Sequence, residues 1–169
     1  MHKPCSVRRF RLSDLDRILS IERASFGRDS YDRNLFAEFF HNCGDLFLVA
    51  ETASDICGYM VTCIRGSGSD ARAELVSVAI HPRHRRHGAA SALMDSTLRR
   101  LRLRGVVRFG LMVRTTNHEA LAFYQKYGFH KVRIVRGYYE DRADGLLMAK
   151  NLHAQKLTHT HKRREASGR

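Results

Sequence analysis

The sequence predicts a mixed α/β domain in which a mostly antiparallel sheet is flanked by helices. Two helical patterns open the chain, and three strand-like runs separated only by turn residues follow them. Beyond these, an amphipathic helix, a strand, a second helix and two closing strands succeed one another.

Each element has a local reason. Ser13, with Asp16 three residues later, resembles a capping box, and Leu15, Ile18, Leu19 and Ile21 form an apolar stripe behind it. A second helix is expected from near Ser30 through Leu35, Phe36, Phe39 and Phe40, stopped by Asn42 and Gly44. Strands are expected over 46–51, 56–65 and 73–80. The segments T-A-S-D and G-S-G-S-D-A between them are turn-rich, which predicts an antiparallel meander. Ala90, Leu93, Met94, Leu98 and Leu101 then keep helical spacing until Gly105. A strand over 106–113 leads to Asn117, which caps a helix carrying Ala120, Leu121, Phe123, Tyr124 and Tyr127, ended by Gly128. Strands over 129–136 and 146–150 close the domain, which is read as 1–152. Residues 153–169 carry five Lys/Arg against one Glu and almost nothing to bury, so they read as a disordered basic tail.

Composition bounds the function. The 169 residues are 43% hydrophobic, enough for one domain with a substantial core, and no stretch approaches the roughly 20 apolar residues of a membrane span. The start lacks an apolar signal region, and Cys5, Cys43, Cys57 and Cys63 show no C-x-x-C spacing. All four are therefore expected as reduced thiols of a cytoplasmic protein without membrane contact. The formal charge is +13, with eight arginines from Arg83 to Arg108 against a single acid, Asp95. That balance suggests polyanionic company: the ribosome, another nucleic acid or a phosphorylated ligand. Aromatic residues are sparse around the arginines, and no zinc-finger or RNA-recognition signature is present.

The chemistry concentrates at V-A-I-H-P-R-H-R-R-H-G-A-A, residues 78–90, where an apolar strand breaks into a basic turn and a helix begins. Unpaired N–H groups, the helix dipole and the arginines would together hold a phosphate-bearing ligand. Gly88 lets the backbone approach that ligand, and Ala89 and Ala90 keep the helix start uncluttered. His81, His84 and His87 could suggest a metal, but the interleaved Arg83, Arg85 and Arg86 would oppose a divalent cation, so no metal is expected.

This turn resembles the acetyl-CoA pyrophosphate loop of the GNAT superfamily, whose pattern is Q/R-x-x-G-x-G/A. Asn117 to Phe129, N-H-E-A-L-A-F-Y-Q-K-Y-G-F, is similar to the family's N-x-x-A-x-x-F/L-Y-x-x-x-G-F segment. The resemblance covers roughly residues 6–152 and implies the GNAT acyltransferase fold, acetyl-CoA as cosubstrate and transfer to a primary amine. It implies that Val78, Ala79 and Ile80 line the pantetheine arm. Arg85, Arg86, His87, Gly88, Ala89 and Ala90 would hold the pyrophosphate, and Asn117 would touch the cofactor while capping its helix. Tyr124 falls at the family's tyrosine, near the thioester sulfur; a phenol of pKa about 10 can donate to a thiolate whose thiol lies near 8.5.

The base is harder to assign. In one GNAT branch, which includes histone acetyltransferases, a glutamate begins the fourth strand, and Glu74 matches it, eleven residues before Arg85. In the ribosomal-protein alanine acetyltransferases the base lies in L-E-V-R-A-S-N. Here that segment reads L-M-V-R-T-T-N, with Met112 in place of the glutamate. An α-amine, with pKa near 7.7–8.0, needs far less help from a base than a lysine near 10.4.

Arg136-Gly137-Tyr138-Tyr139 followed by Asp144-Gly145-Leu146-Leu147-Met148 is similar to the R-x-Y-Y…D-A-x-x-M ending of protein N-terminal acetyltransferases, with Gly145 replacing alanine. Tyr138 and Tyr139 are thereby candidate substrate contacts. The stretch I-E-R-A-S-F, similar to the family's I-E-x-x-x-F, makes Phe26 a pocket wall and Glu22 a lesser candidate. The expected reaction is direct acetyl transfer to a protein N-terminus, ribosomal proteins included. A small amine or lysine acetyltransferase, and a basic ribosome-binding module with a decayed site, are the alternatives. Monomer and homodimer are both open.

Overall fold

Residues 5–152, the part of the chain that the structure, a computed structural model, describes, build one seven-stranded sheet covered by helices on both faces. The basic tail expected over 153–169 lies outside the described residues. In chain order the elements are β1 (Ser6–Arg9), α1 (Leu15–Phe26), α2 (Arg33–Cys43), β2 (Phe47–Glu51), β3 (Ile56–Arg65), β4 (Arg72–Ile80) and α3 (Ala89–Leu103). Then come β5 (Arg108–Arg114), α4 (His118–Lys126), β6 (His130–Val135) and β7 (Gly145–Asn151). The strand order is β1-β2-β3-β4-β5-β7-β6. Every neighbouring pair is antiparallel except β4 and β5, which run parallel because α3 carries the chain back between them.

The expected mixed, mostly antiparallel architecture is the one observed. Its two cores follow the two faces of the sheet. On one face Leu93, Met94 and Leu101 of α3 pack with Phe109, Leu111, Tyr124 and Met148. On the other, Ile18 and Ile21 of α1 and Phe36 of α2 pack with Phe47, Tyr59 and Val61. Among the described residues no helix is long and apolar enough to cross a membrane.

Four local expectations are corrected. β1 was not expected: S-V-R-R has one apolar residue, and ionic contacts hold the strand in place instead. Arg8 bonds Glu51 at 2.8 Å and both oxygens of Asp14 at 2.8 and 3.0 Å. The first helix is not capped by a Ser13–Asp16 box; Asp14 accepts the Arg11 N–H at 2.8 Å, and α1 starts at Leu15. The second helix begins three residues beyond Ser30, where the Asp32 side chain accepts from Leu35 N at 2.9 Å. Finally, the four cysteines are not all free. Cys43, ending α2, and Cys63, in β3, are joined as a disulfide with Cα atoms 4.5 Å apart, while Cys5 and Cys57 remain thiols. The packing of α2 on β3 brings that pair together, and no sequence spacing announces it.

One irregularity prepares the site. In the β3–β4 ladder Val61 opposes Ser77 but Thr62 opposes Leu75, so Val76 is an extra, bulged residue. β4 and β5 pair only from Arg72/Arg108 to Leu75/Leu111 and then part. Beyond that point β5 stays on β7 through Arg114 and Gly145, while β4 stays on β3 through Ile80. A cleft lined by backbone therefore opens in the middle of the sheet, at the ends of β4 and β5.

Candidate active site

The basic turn lies directly past the open end of β4. Gly88 caps α3 with φ +83°, and a Cβ built on it would meet no protein atom within 4 Å, so open space faces the backbone there. The amides of the first helical turn, from Ala89 onward, have no intrahelical partner. Arg86 adopts a positive φ of 61°, and Arg85 turns its Nε back to the Ile80 carbonyl at 3.1 Å, tying the turn to the strand. Val78 and Ile80 are half-buried against the α3/α4 core. The Ala79 side chain faces the opposite core, and its backbone pairs with Tyr59 in the β3–β4 ladder. Asn117 caps α4, its side chain accepting from Ala120 N at 3.1 Å. His81 accepts the Arg83 N–H at 3.2 Å, and His84 lies 3.9 Å from Asp55.

Tyr124 is buried between Phe123 and Phe129, with ring centroids at 5.5 and 5.8 Å, and its hydroxyl makes no hydrogen bond among the described residues. Burial, with a lesser contribution from Tyr139, raises its pKa well above the ordinary phenol value, so the hydroxyl holds its proton. Burial above all raises the pKa of Tyr139 and of Tyr31 as well. The Tyr138 and Tyr139 rings meet edge-on, with centroids 5.0 Å apart. Glu74 itself is exposed on β4, two residues before the bulge, with Arg65 at 3.8 Å. Phe26 stands 42% exposed at the end of α1. Burial, together with Cys5 at 4.0 Å, pushes the Cys57 thiol up to about 11, so no thiolate nucleophile forms there at neutral pH.

Three features escape a reading of the sequence. The first is Arg114. Its guanidinium lies 4.1 Å over the Tyr139 ring, donates to Asp141 at 2.8 and 3.0 Å, and reaches Asp29 at 3.5 Å. One β5 side chain therefore fastens the α1–α2 turn to the β6–β7 hairpin. The second is the setting of Glu22, only 1% exposed. Its carboxylate accepts the Tyr31 N–H at 2.9 Å and the Tyr59 hydroxyl, which is itself 2.9 Å from Ser77 Oγ beside the bulge. Burial raises the Glu22 pKa against these two hydrogen bonds. The third is the fit of Met112 to Gly145. A Cβ on Gly145 would lie 2.8 Å from Met112 Sδ and 3.1 Å from Tyr138 Cβ. Methionine in place of glutamate and glycine in place of alanine are one packing solution. The partners in all three are far apart in sequence, so no local pattern connects them; only the I-E pair offered a signal for Glu22.

Residues 13–129 match the model of the acetyltransferase (GNAT) family. An N-alpha-acetyltransferase of Saccharolobus solfataricus is 30% identical over 156 residues, spanning 87% of this chain and 93% of its own. The ribosomal protein bS18-alanine N-acetyltransferase of Escherichia coli K12 is 36% identical over 80 residues, 46% of this chain and 54% of its own. Among solved structures, Ard1 of Thermoplasma volcanium superposes with a TM-score of 0.81 at 28% identity, covering 88% of this chain and 98% of the other.

Proposed function

The chain belongs to the GNAT acetyltransferase family and is an N-acetyltransferase, and from that premise we propose that it moves the acetyl group of acetyl-CoA directly to the N-terminal α-amine of a protein. The observation that carries this reading is the parting of β4 from β5 immediately ahead of the basic turn that starts α3. A ligand whose pyrophosphate rested on residues 85–90 would run along Val78 and Ile80 and present its thioester where the bulged backbone offers N–H groups.

In the ternary complex the amine nitrogen attacks the thioester carbonyl, the C–N bond forms and the C–S bond breaks. Backbone N–H groups of the bulge polarise the carbonyl. Tyr124 donates its hydroxyl proton to the departing thiolate; its burial, which keeps the hydroxyl protonated, supports that role. Glu74 takes the proton from the amine through water. Because Met112 cannot act as a base, an α-amine, about a tenth neutral at pH 7, suits this site better than a lysine. Tyr138, Tyr139 and Phe26 bear on the acceptor's first residues, with the hairpin and the α1–α2 turn held together by Arg114.

Turnover of acetyl-CoA over a peptide panel tests the reading. Peptides with free N-termini, ribosomal protein N-termini included, are expected to react. Blocked peptides that contain lysine are expected not to. The opposite pattern would move the acceptor to lysine.

A further inference from the structure

At the pole where the ladder of β4 and β5 begins, arginine gathers beyond the residues named for acetyl transfer, and Glu74 borders it through Arg65. β4 and β5 both start there, β3 and β7 both end there, and α3 delivers its last turn there, about 20 Å along its axis from Gly88. Arg65, Arg72 and Arg108 stand in register across β3, β4 and β5. Like charges directly opposite one another destabilise a sheet. Glu74 lies 3.8 Å from Arg65 in this row, and Asp70 stands in the turn two residues before Arg72. Beside it, Arg9, Arg100 and Arg104 converge on one carboxylate, that of Asp45. Arg9 approaches to 3.4 Å, Arg100 to 4.0 Å, and Arg104 hydrogen-bonds it. Partial burial and the neighbouring Arg9 push the Arg100 pKa below the usual arginine value.

We propose that this arginine pole binds the phosphodiester backbone of structured RNA. An anion laid along the Arg65–Arg72–Arg108 row would relieve the repulsion that the fold otherwise carries. The planar, always-charged guanidinium grips phosphate oxygens in pairs. The apolar side chains exposed nearby, Leu103 and Val107, are single residues. They fall short of the buried anchor cluster of a protein partner or the apolar face of a membrane-bound helix. This surface does not depend on which amine the enzyme acetylates.

The full chain, titrated with a fluorescein-labelled RNA hairpin in rising salt, provides the test. Wild-type binding is expected to weaken steeply with salt. Arg9→Gln/Arg72→Gln/Arg108→Gln should make the log–log salt slope shallower by about two to three and weaken binding about tenfold or more near 0.1 M salt. Acetyl-CoA turnover should be unchanged, and the melting temperature should not fall, because the row's repulsion is relieved. If the triple variant fails to fold, Arg72→Gln alone, at an exposed side chain, should still cost about one unit of slope. No RNA binding by the wild type would overturn the assignment, as would a variant that keeps the wild-type slope. Equal binding of polyglutamate or of phosphatidylserine vesicles would overturn it in favour of an acidic protein or a membrane.

Discussion

At the scale of single residues, Tyr124 and Glu22 are both kept protonated beyond their usual range by burial, and they differ in what they can do. Tyr124 holds its proton in an aromatic setting, so Tyr124→Phe should lower kcat by about a hundredfold or more. KM for acetyl-CoA should barely move, and steady-state kinetics with each substrate varied separates the two. Glu74→Gln should matter most at low pH, where more of the amine is protonated, and a pH profile of the variant-to-wild-type ratio reads this directly. Glu22 is different because its carboxyl ties α1, β3 and the Tyr31 amide together. Its pKa is raised in the folded state, so the unfolded chain releases that proton first as pH rises. Its contribution to stability is therefore full below about 4.3 and is lost as the pH climbs through the raised folded value. Glu22→Gln keeps neutral hydrogen-bonding groups in place. Its melting temperature relative to wild type should accordingly improve from acidic to neutral pH.

At the scale of elements, the site is held by ties between segments that are each weak alone. The β6–β7 hairpin and the α1–α2 turn meet through Arg114, which combines a cation–π contact with two ion pairs. Arg114→Ala should raise KM for the peptide and lower kcat/KM by about 5- to 100-fold, the equivalent of roughly 1–3 kcal/mol. KM for acetyl-CoA should stay near wild type. Lysine at 114 should rescue little, because it lacks the planar fork. Elements with strong local signals were legible: β3 runs over 56–65 as its apolar pattern predicts, and Asn117 caps α4. β1 was not, since one valine among arginines leaves no periodic pattern and its place is set by Arg8 bonding Asp14 and Glu51. The Cys43–Cys63 pair was missed for the same reason, since helix-on-strand packing leaves no local trace.

For the whole molecule, ligand binding and folding are linked. Acetyl-CoA at about a hundred times its Kd should stabilise the chain by about 2.7 kcal/mol and raise the melting temperature by about 5–11 °C. Gly88→Glu should abolish that shift, because a charged side chain would enter the open space before α3 at a φ of +83°; differential scanning fluorimetry measures both. On the proposed function the basic turn before α3 serves the cofactor, which leaves the arginines at the start of β4 and β5 for a polyanion. Sequence alone was sufficient for the family, the phosphate turn and the tyrosine helix, because each is encoded by residues adjacent along the chain, where spacing and turn chemistry act directly. The parting of β4 from β5, the Arg114 tie, the buried Glu22 network, the Met112–Gly145 fit and the gathering of arginines at one pole arise only when strands distant in sequence come into register. Such contacts have no period along the chain, and the closed sheet decides them.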